Sequence, residues 1–154
     1  MSVGIECDEL NVVSANGEGI GIDIGVKTLA VCCDGATCES VNKRAKIRKL
    51  NKKARRLQRA VSRKYTENKK GERYRKTRNI IKSEKRLLKV NRRLRNIRHD
   101  YLHQMTSEIA NRKPRFIIMD DLNVDGMMKN RHLSKAVQEQ CFRELYRKLA
   151  YNSN

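Results

Sequence analysis

"GIGIDIGVKTLAVCCDG", residues 19–35, decides the fold. Ile20, Ile22 and Ile24 alternate with Gly21, Asp23 and Gly25, the period of two expected of a strand with one buried face. "GVKT" supplies a turn. "LAVCCDG" returns as a second strand ending in an Asp-Gly turn signal. "ATCESV", residues 36–41, is a third short strand, so the expectation is an antiparallel meander. Asp23 is the odd member of this pattern. On its own face it is flanked by two residues without side chains, which leaves room for a close approach. From these residues alone it is either an ordinary strand carboxylate satisfied by a neighbour or a group that holds a ligand.

A second stretch bears on that choice. "RFIIMDDLNVDG", residues 115–126, is a short apolar run from Phe116 to Met119 that ends in Asp120 and Asp121. A short apolar strand after a long helix predicts a crossover to a place parallel to an earlier strand. Functional groups of such sheets gather at the carboxyl ends of strands. Two carboxylates brought together repel unless a cation lies between them. Magnesium takes oxygen ligands, often one or two carboxylates plus phosphate oxygens. A pair of such ions clamps the attacking and leaving oxygens of a phosphodiester. Asp121 alternates to the other side of the strand.

Between these stretches lies the charge. The chain has 154 residues, the size of one ordinary domain, and a formal net charge of +19. Residues 43–98 hold 26 of the 36 Lys and Arg but only three acids, Glu67, Glu72 and Glu84. The whole positive excess sits in that segment, and the flanks are ordinary globular sequence. Ile47, Leu50, Ala54, Leu57 and Val61 recur at steps of three and four, so they line one side of a helix. The pattern fades in "YTENKKGERY", where Gly71 is the breaker. It resumes as Leu87, Val90, Leu94, Ile97 and Tyr101 and runs on through Met105 and Ile109. Two long helices joined near residues 66–72 and folded back on their apolar seams are predicted, a basic helical hairpin over about 43–110. Pro114 closes the second helix region.

A solvated helix normally mixes charge signs to avoid self-repulsion. A face of nearly one sign is better explained by phosphates. Arg55, Arg56, Arg59, Arg63, Lys64, Arg92, Arg93 and Arg95 are the candidate nucleic-acid contacts. Aromatics are few on these helices, so salt-sensitive contact with the backbone is expected rather than base stacking.

Composition excludes other classes. The charge by itself suits nucleic acid or an anionic membrane surface. No run approaches the roughly 20 apolar residues of a membrane span, and with the charge on one helical segment nucleic acid rather than a membrane is the expected partner. "MSVGIECDEL" has neither the basic start nor the apolar core of a signal peptide. Five cysteines without a CxxC pair predict neither a disulfide framework nor a zinc site, and the expected location is the reducing cytoplasm. "LSKAVQEQCFRELYRKLAY" places Leu133, Val137, Cys141, Leu145 and Leu149 at steps of four, an amphipathic helix against the sheet. Cys141, Cys32 and Cys33 read as structural. His99, His103 and His132 have no companions at metal spacing and receive no role. Asn123 and Asn130 fit turn or cap positions.

"GIDIGVKTLAV", the basic stretch "RRLQRAVSRK…RRLRNIRHDYLHQ" and "FIIMDDLNVDGMMKNRHLSKAV" together resemble the OrfB/TnpB proteins of insertion sequences. These are transposases and RNA-guided DNA endonucleases with a RuvC-like nuclease domain of RNase H fold, and the likeness spans roughly residues 19–150. The resemblance implies an α/β chain with a partial RuvC-like RNase H fold and a long basic helical hairpin between the third and fourth strands. It implies that Asp23 is the first catalytic carboxylate, and that Asp120 stands where the family usually has Glu. Both would be ligands of Mg2+ or Mn2+. DNA, and in the full-length family a guide RNA, are the implied partners.

This chain departs from the family in three ways. Asp120 is shorter than Glu by one methylene. No zinc ribbon with CxxC pairs and no third catalytic Asp follow. Upstream, residues 1–18 read as the remnant of a nucleic-acid-binding module. The expectation is therefore a truncated nuclease or transposase, with residues 19–154 a partial nuclease domain that binds nucleic acid and is inactive alone. The alternative is a non-catalytic nucleic-acid-binding protein acting through the hairpin. An ATPase of the actin and sugar-kinase type also carries a strand–turn–strand like "GIDIGVKT", but 154 residues cannot hold its duplicated domains.

Overall fold

The computed structural model describes residues 18–152. Residues 1–17 of the expected upstream remnant lie outside the described residues. The described residues form two compact units, one of residues 18–42 with 100–152 and one of residues 43–99.

The first unit is built on a four-stranded sheet. Its strands are β1 (Ile20–Ile24), β2 (Ala30–Cys32), β3 (Thr37–Cys38) and, much later in the chain, β6 (Ile117–Met119), in the order β3-β2-β1-β6. β1 pairs antiparallel with β2, and β2 antiparallel with β3. β6 lies parallel to β1, with Ile20 opposite Ile117, Gly21 opposite Ile118 and Ile22 opposite Met119. The meander and the parallel return strand are those expected from the sequence. The Asp-Gly turn is also as read. Gly35 has a φ of 83°, and Asp34 Oδ1 accepts from the Ala36 N–H at 2.9 Å.

Period-two alternation sets which face is buried. Ile20, Ile22, Ile24, Ala30 and Cys32 enter the core, where burial pushes the Cys32 thiol above its ordinary range. They meet Leu102, Met105 and Ile109 from the end of α2 (Arg78–Asn111), Val137 from α4 (Ser134–Gln140), and Phe142, Leu145 and Leu149 from α5 (Phe142–Asn152). Gly19 is required by close approach: a Cβ there would lie 2.1 Å from the Phe116 ring. That proximity accompanies the first inter-strand bond, in which Ile20 N donates to Phe116 O at 2.9 Å.

Two expectations of detail are corrected. The third strand covers only Thr37–Cys38, followed by a 3-10 turn at Val41–Lys43. The Glu39 carbonyl is taken by the Tyr101 hydroxyl at 2.6 Å, and Ser40 Oγ turns inward to donate to Gln140 Oε1 at 3.0 Å. These bonds replace a ladder. The closing helix is also not continuous. Cys141 adopts a left-handed conformation, φ 57°, and separates α4 from α5. Val137 and Phe142 are both buried. In one unbroken helix they would lie about 140° apart, and the break lets both enter one core.

The second unit is the basic hairpin. α1 (Ala45–Glu67) and the first part of α2 are joined by a small β-turn structure, β4 (Lys69–Lys70) and β5 (Arg73–Tyr74). Gly71, at φ 59°, occupies the turn where a side chain would be strained. Thr77 Oγ1 accepts from the Ile80 N–H at 3.4 Å, a cap on the start of α2. Ile47 and Val61 are buried on α1, and Ile80, Val90 and Leu94 on α2, in accord with the apolar seams. At the turn end Lys64 Nζ donates to Ser83 Oγ at 2.7 Å and Tyr65 OH to Glu84 Oε1 at 2.6 Å. Lys76 adds an ion pair to Glu84 at 2.7 Å. No helix among the described residues is long and apolar enough to cross a membrane.

Candidate active site and nucleic-acid interface

The face of the sheet opposite the core is open. Asp23 is exposed on β1, with Gly21 and Gly25 beside it on that face. Ile118, 62% exposed, occupies the same face of β6 opposite Gly21. The last paired residues are Ile22 and Met119; Asp23 is the next residue of β1, and Asp120 follows Met119 just past the end of β6. The strand that carries Asp23 and the strand that ends just before Asp120 are thus neighbours, although the two carboxylates are 97 positions apart in the chain. Asp121, two residues past the end of β6, is also exposed.

The supports of these positions lie in the turns that follow each strand. After Asp23, Gly25 N donates to Leu29 O at 3.3 Å. The buried Gln140 side chain donates from Nε2 to Val26 O at 2.7 Å. After Asp120, Asn123 caps α3 (Val124–Lys129) by accepting from Gly126 N at 2.8 Å. Asn130 Oδ1 accepts from His132 N at 3.0 Å. Both asparagines therefore play the turn and cap roles read from the sequence. Sequence reasoning missed Gln140 and Tyr146. The Tyr146 hydroxyl donates to the Asp120 carbonyl and accepts from Leu122 N at 3.3 Å. Neither residue stands in a motif, and no local spacing announces them.

Carboxylates are hard oxygen donors and suit a hard divalent cation better than copper. Among the described residues no group of three or more His, Cys, Asp and Glu could hold a metal ion. The donor set fits an ion that keeps most of its shell as water or phosphate oxygen.

On the hairpin, Arg55, Arg56, Arg59, Arg63, Arg92, Arg93 and Arg95 are all exposed. With about 100° per residue, the four on α1 fall within a single arc on the side away from Ile47 and Val61. Arg92 likewise lies opposite Val90 and Leu94. Lys85, Lys89, Arg92 and Arg95 surround the exposed Leu88 in an open groove on α2. Lys64 differs from the other candidates. It is half-buried, and its ammonium bonds Ser83 within the hairpin.

Residues 2–131 match the family OrfB_IS605, described as "Probable transposase". The chain is similar to "Putative RNA-guided DNA endonuclease InsQ" of Escherichia coli (strain K12), 28% identical over 98% of this chain and 38% of that protein. It is also similar to a "Putative RNA-guided DNA endonuclease" of Streptomyces pristinaespiralis, 27% identical over 94% of this chain and 33% of that protein. The chain spans little more than a third of the length of these curated relatives. The chain belongs to the OrfB_IS605 transposase family.

Proposed function

We propose that the chain carries two carboxylates of a RuvC-like, metal-dependent DNA-cleaving centre on a partial RNase H-like sheet, next in sequence to a hairpin that binds nucleic acid. The observation that carries this reading is the parallel β1–β6 pairing, whose last pair, Ile22 and Met119, immediately precedes Asp23 and Asp120 in the chain. The strand order, an antiparallel meander with a parallel strand beside the first, supports the fold assignment. The names of the relatives support DNA as substrate and RNA as a guide.

In this reading Asp23 and Asp120 hold one Mg2+ or Mn2+ ion between them and keep it at the carboxyl ends of two neighbouring strands. Such an ion, when bound, polarises a phosphodiester oxygen and makes a bound water a better nucleophile. Gly21 and Gly25 add no side chains beside Asp23, where the Cys33 side chain and the Thr28 carbonyl are the nearest neighbours of the two glycines. The described residues offer no third ligand of the same kind. Asp120 reaches less far than the Glu of the resembling family. A second ion would therefore be poorly fixed, and a misplacement of about 1 Å costs on the order of a hundredfold in rate. The chain alone is expected to bind the ion weakly and to give no useful cleavage.

A nuclease assay on single- and double-stranded DNA with manganese, comparing the chain with Asp23→Asn, tests both halves. Cleavage abolished by Asp23→Asn would establish the centre and refute its inactivity. Manganese binding that is indifferent to Asp23→Asn would refute the centre itself. The second reading is a nucleic-acid-binding protein without catalysis. It is favoured by the basic hairpin forming a compact unit of its own, and it predicts retained DNA binding with no metal dependence.

A further inference from the structure

Asp120 stands immediately past the end of β6, where the ladder that fixes Met119 has stopped. Its backbone is nevertheless held from the helical layer. The Tyr146 hydroxyl donates to the Asp120 carbonyl and accepts from the Leu122 N–H at 3.3 Å. One phenol thus bridges the peptide groups on both sides of Asp121. The ring packs against the core, and its neighbours Leu145 and Leu149 on α5 are almost fully buried. The bridge is carried by a helix that cannot shift without disturbing that core.

We propose that Tyr146 is a positioning residue for the Asp120 carboxylate. It touches neither metal nor substrate. It acts by fixing the strand end from which Asp120 projects. An aspartate has only two side-chain torsions, so the placement of its carboxylate follows that of its Cα closely. Removal of outer partners of metal ligands commonly weakens metal binding by 10–100-fold. Asp120 is held through its backbone rather than its carboxylate, so the lower end of that range, roughly tenfold, is expected. The inference rests on the reading that Asp23 and Asp120 share a cation.

The probe is Mn2+ alone, titrated into the full chain and followed by electron paramagnetic resonance, for wild type, Tyr146→Phe and Asp23→Asn. Tyr146→Phe keeps the ring and removes only the bridging hydroxyl. The expected result is Mn2+ binding about tenfold weaker, with unchanged circular dichroism, melting temperature and DNA affinity. A melting temperature that falls while Mn2+ affinity stays as in wild type would make Tyr146 merely structural and overturn the proposal. If Tyr146→Phe does not fold, 3,5-difluorotyrosine at position 146 decides. Its phenol ionises much nearer neutrality and then has no proton to donate to Asp120. Mn2+ affinity that falls as this phenol ionises supports positioning, and a profile matching wild type overturns it. Loss of binding in Asp23→Asn with wild-type binding in Tyr146→Phe refutes the role of Tyr146 alone. Equal binding in wild type and Asp23→Asn, or none in either, removes the shared cation and this inference with it.

Discussion

Replacing Arg55, Arg56, Arg92 and Arg93 with alanine should weaken nucleic-acid binding and, more tellingly, flatten its dependence on salt. All four side chains are exposed, Arg92 opposite the buried seam of α2 and Arg93 at its flank, so their loss leaves the buried residues of the hairpin in place. Each phosphate neutralised on duplex DNA contributes a slope of about −0.9 in log affinity against log salt. If each exposed arginine of the candidate set meets one phosphate, the wild-type slope is about −6, and affinity falls several thousandfold between roughly 50 and 200 mM salt. The quadruple variant should show a slope of about −3 and a fall of only about 40-fold over the same range. Fluorescence anisotropy with labelled duplexes of unrelated sequence, titrated at four or more salt concentrations, measures both quantities. The loss should be alike for all sequences, because phosphate contacts carry no base information. An unchanged slope would refute the reasoning and reduce the basic faces to a solvated surface. Separate α1 and α2 double variants would show how the slope divides between the two stripes.

Two further outcomes follow from particular contacts. Lys76 and Tyr65 hydrogen-bond to Glu84 and hold its carboxyl below the usual glutamate range. The stabilisation it gives the hairpin tip is therefore present above the unfolded glutamate range and is lost as pH falls through the lowered folded value. Amide exchange of residues 65–84, corrected for intrinsic rates, should accelerate on acidification in wild type and stay flat in Glu84→Gln; a flat wild-type profile would refute the linkage. Gln140→Leu leaves Val26 O without its side-chain donor and Ser40 Oγ without its acceptor. The expected loss is about 1–3 kcal/mol in urea unfolding, and a wild-type midpoint would show that the network contributes nothing.

The sequence by itself determined the local elements and the distribution of charge. The alternation in residues 20–24 and the three-and-four steps of Ile47 to Val61 and Leu87 to Ile109 depend only on neighbours, so they are legible without a fold. The +19 excess concentrated in residues 43–98 is a property of composition. Asp23 and Asp120 were legible as candidates because each breaks an apolar strand pattern. The resemblance to the transposase family added their roles, not their geometry. Only the tertiary structure decided that β6 seats beside β1 with Ile22 opposite Met119, since a slip of one residue would turn the faces of β6 over. It alone placed Gln140 against Ser40, 100 positions away, and Tyr146 against Asp120, 26 positions away. It also broke the helix at Cys141, which neither glycine nor proline marks. Such contacts join groups distant along the chain. They are chosen by which packing buries Val137, Phe142, Leu145 and Leu149 together while satisfying the polar groups beside them.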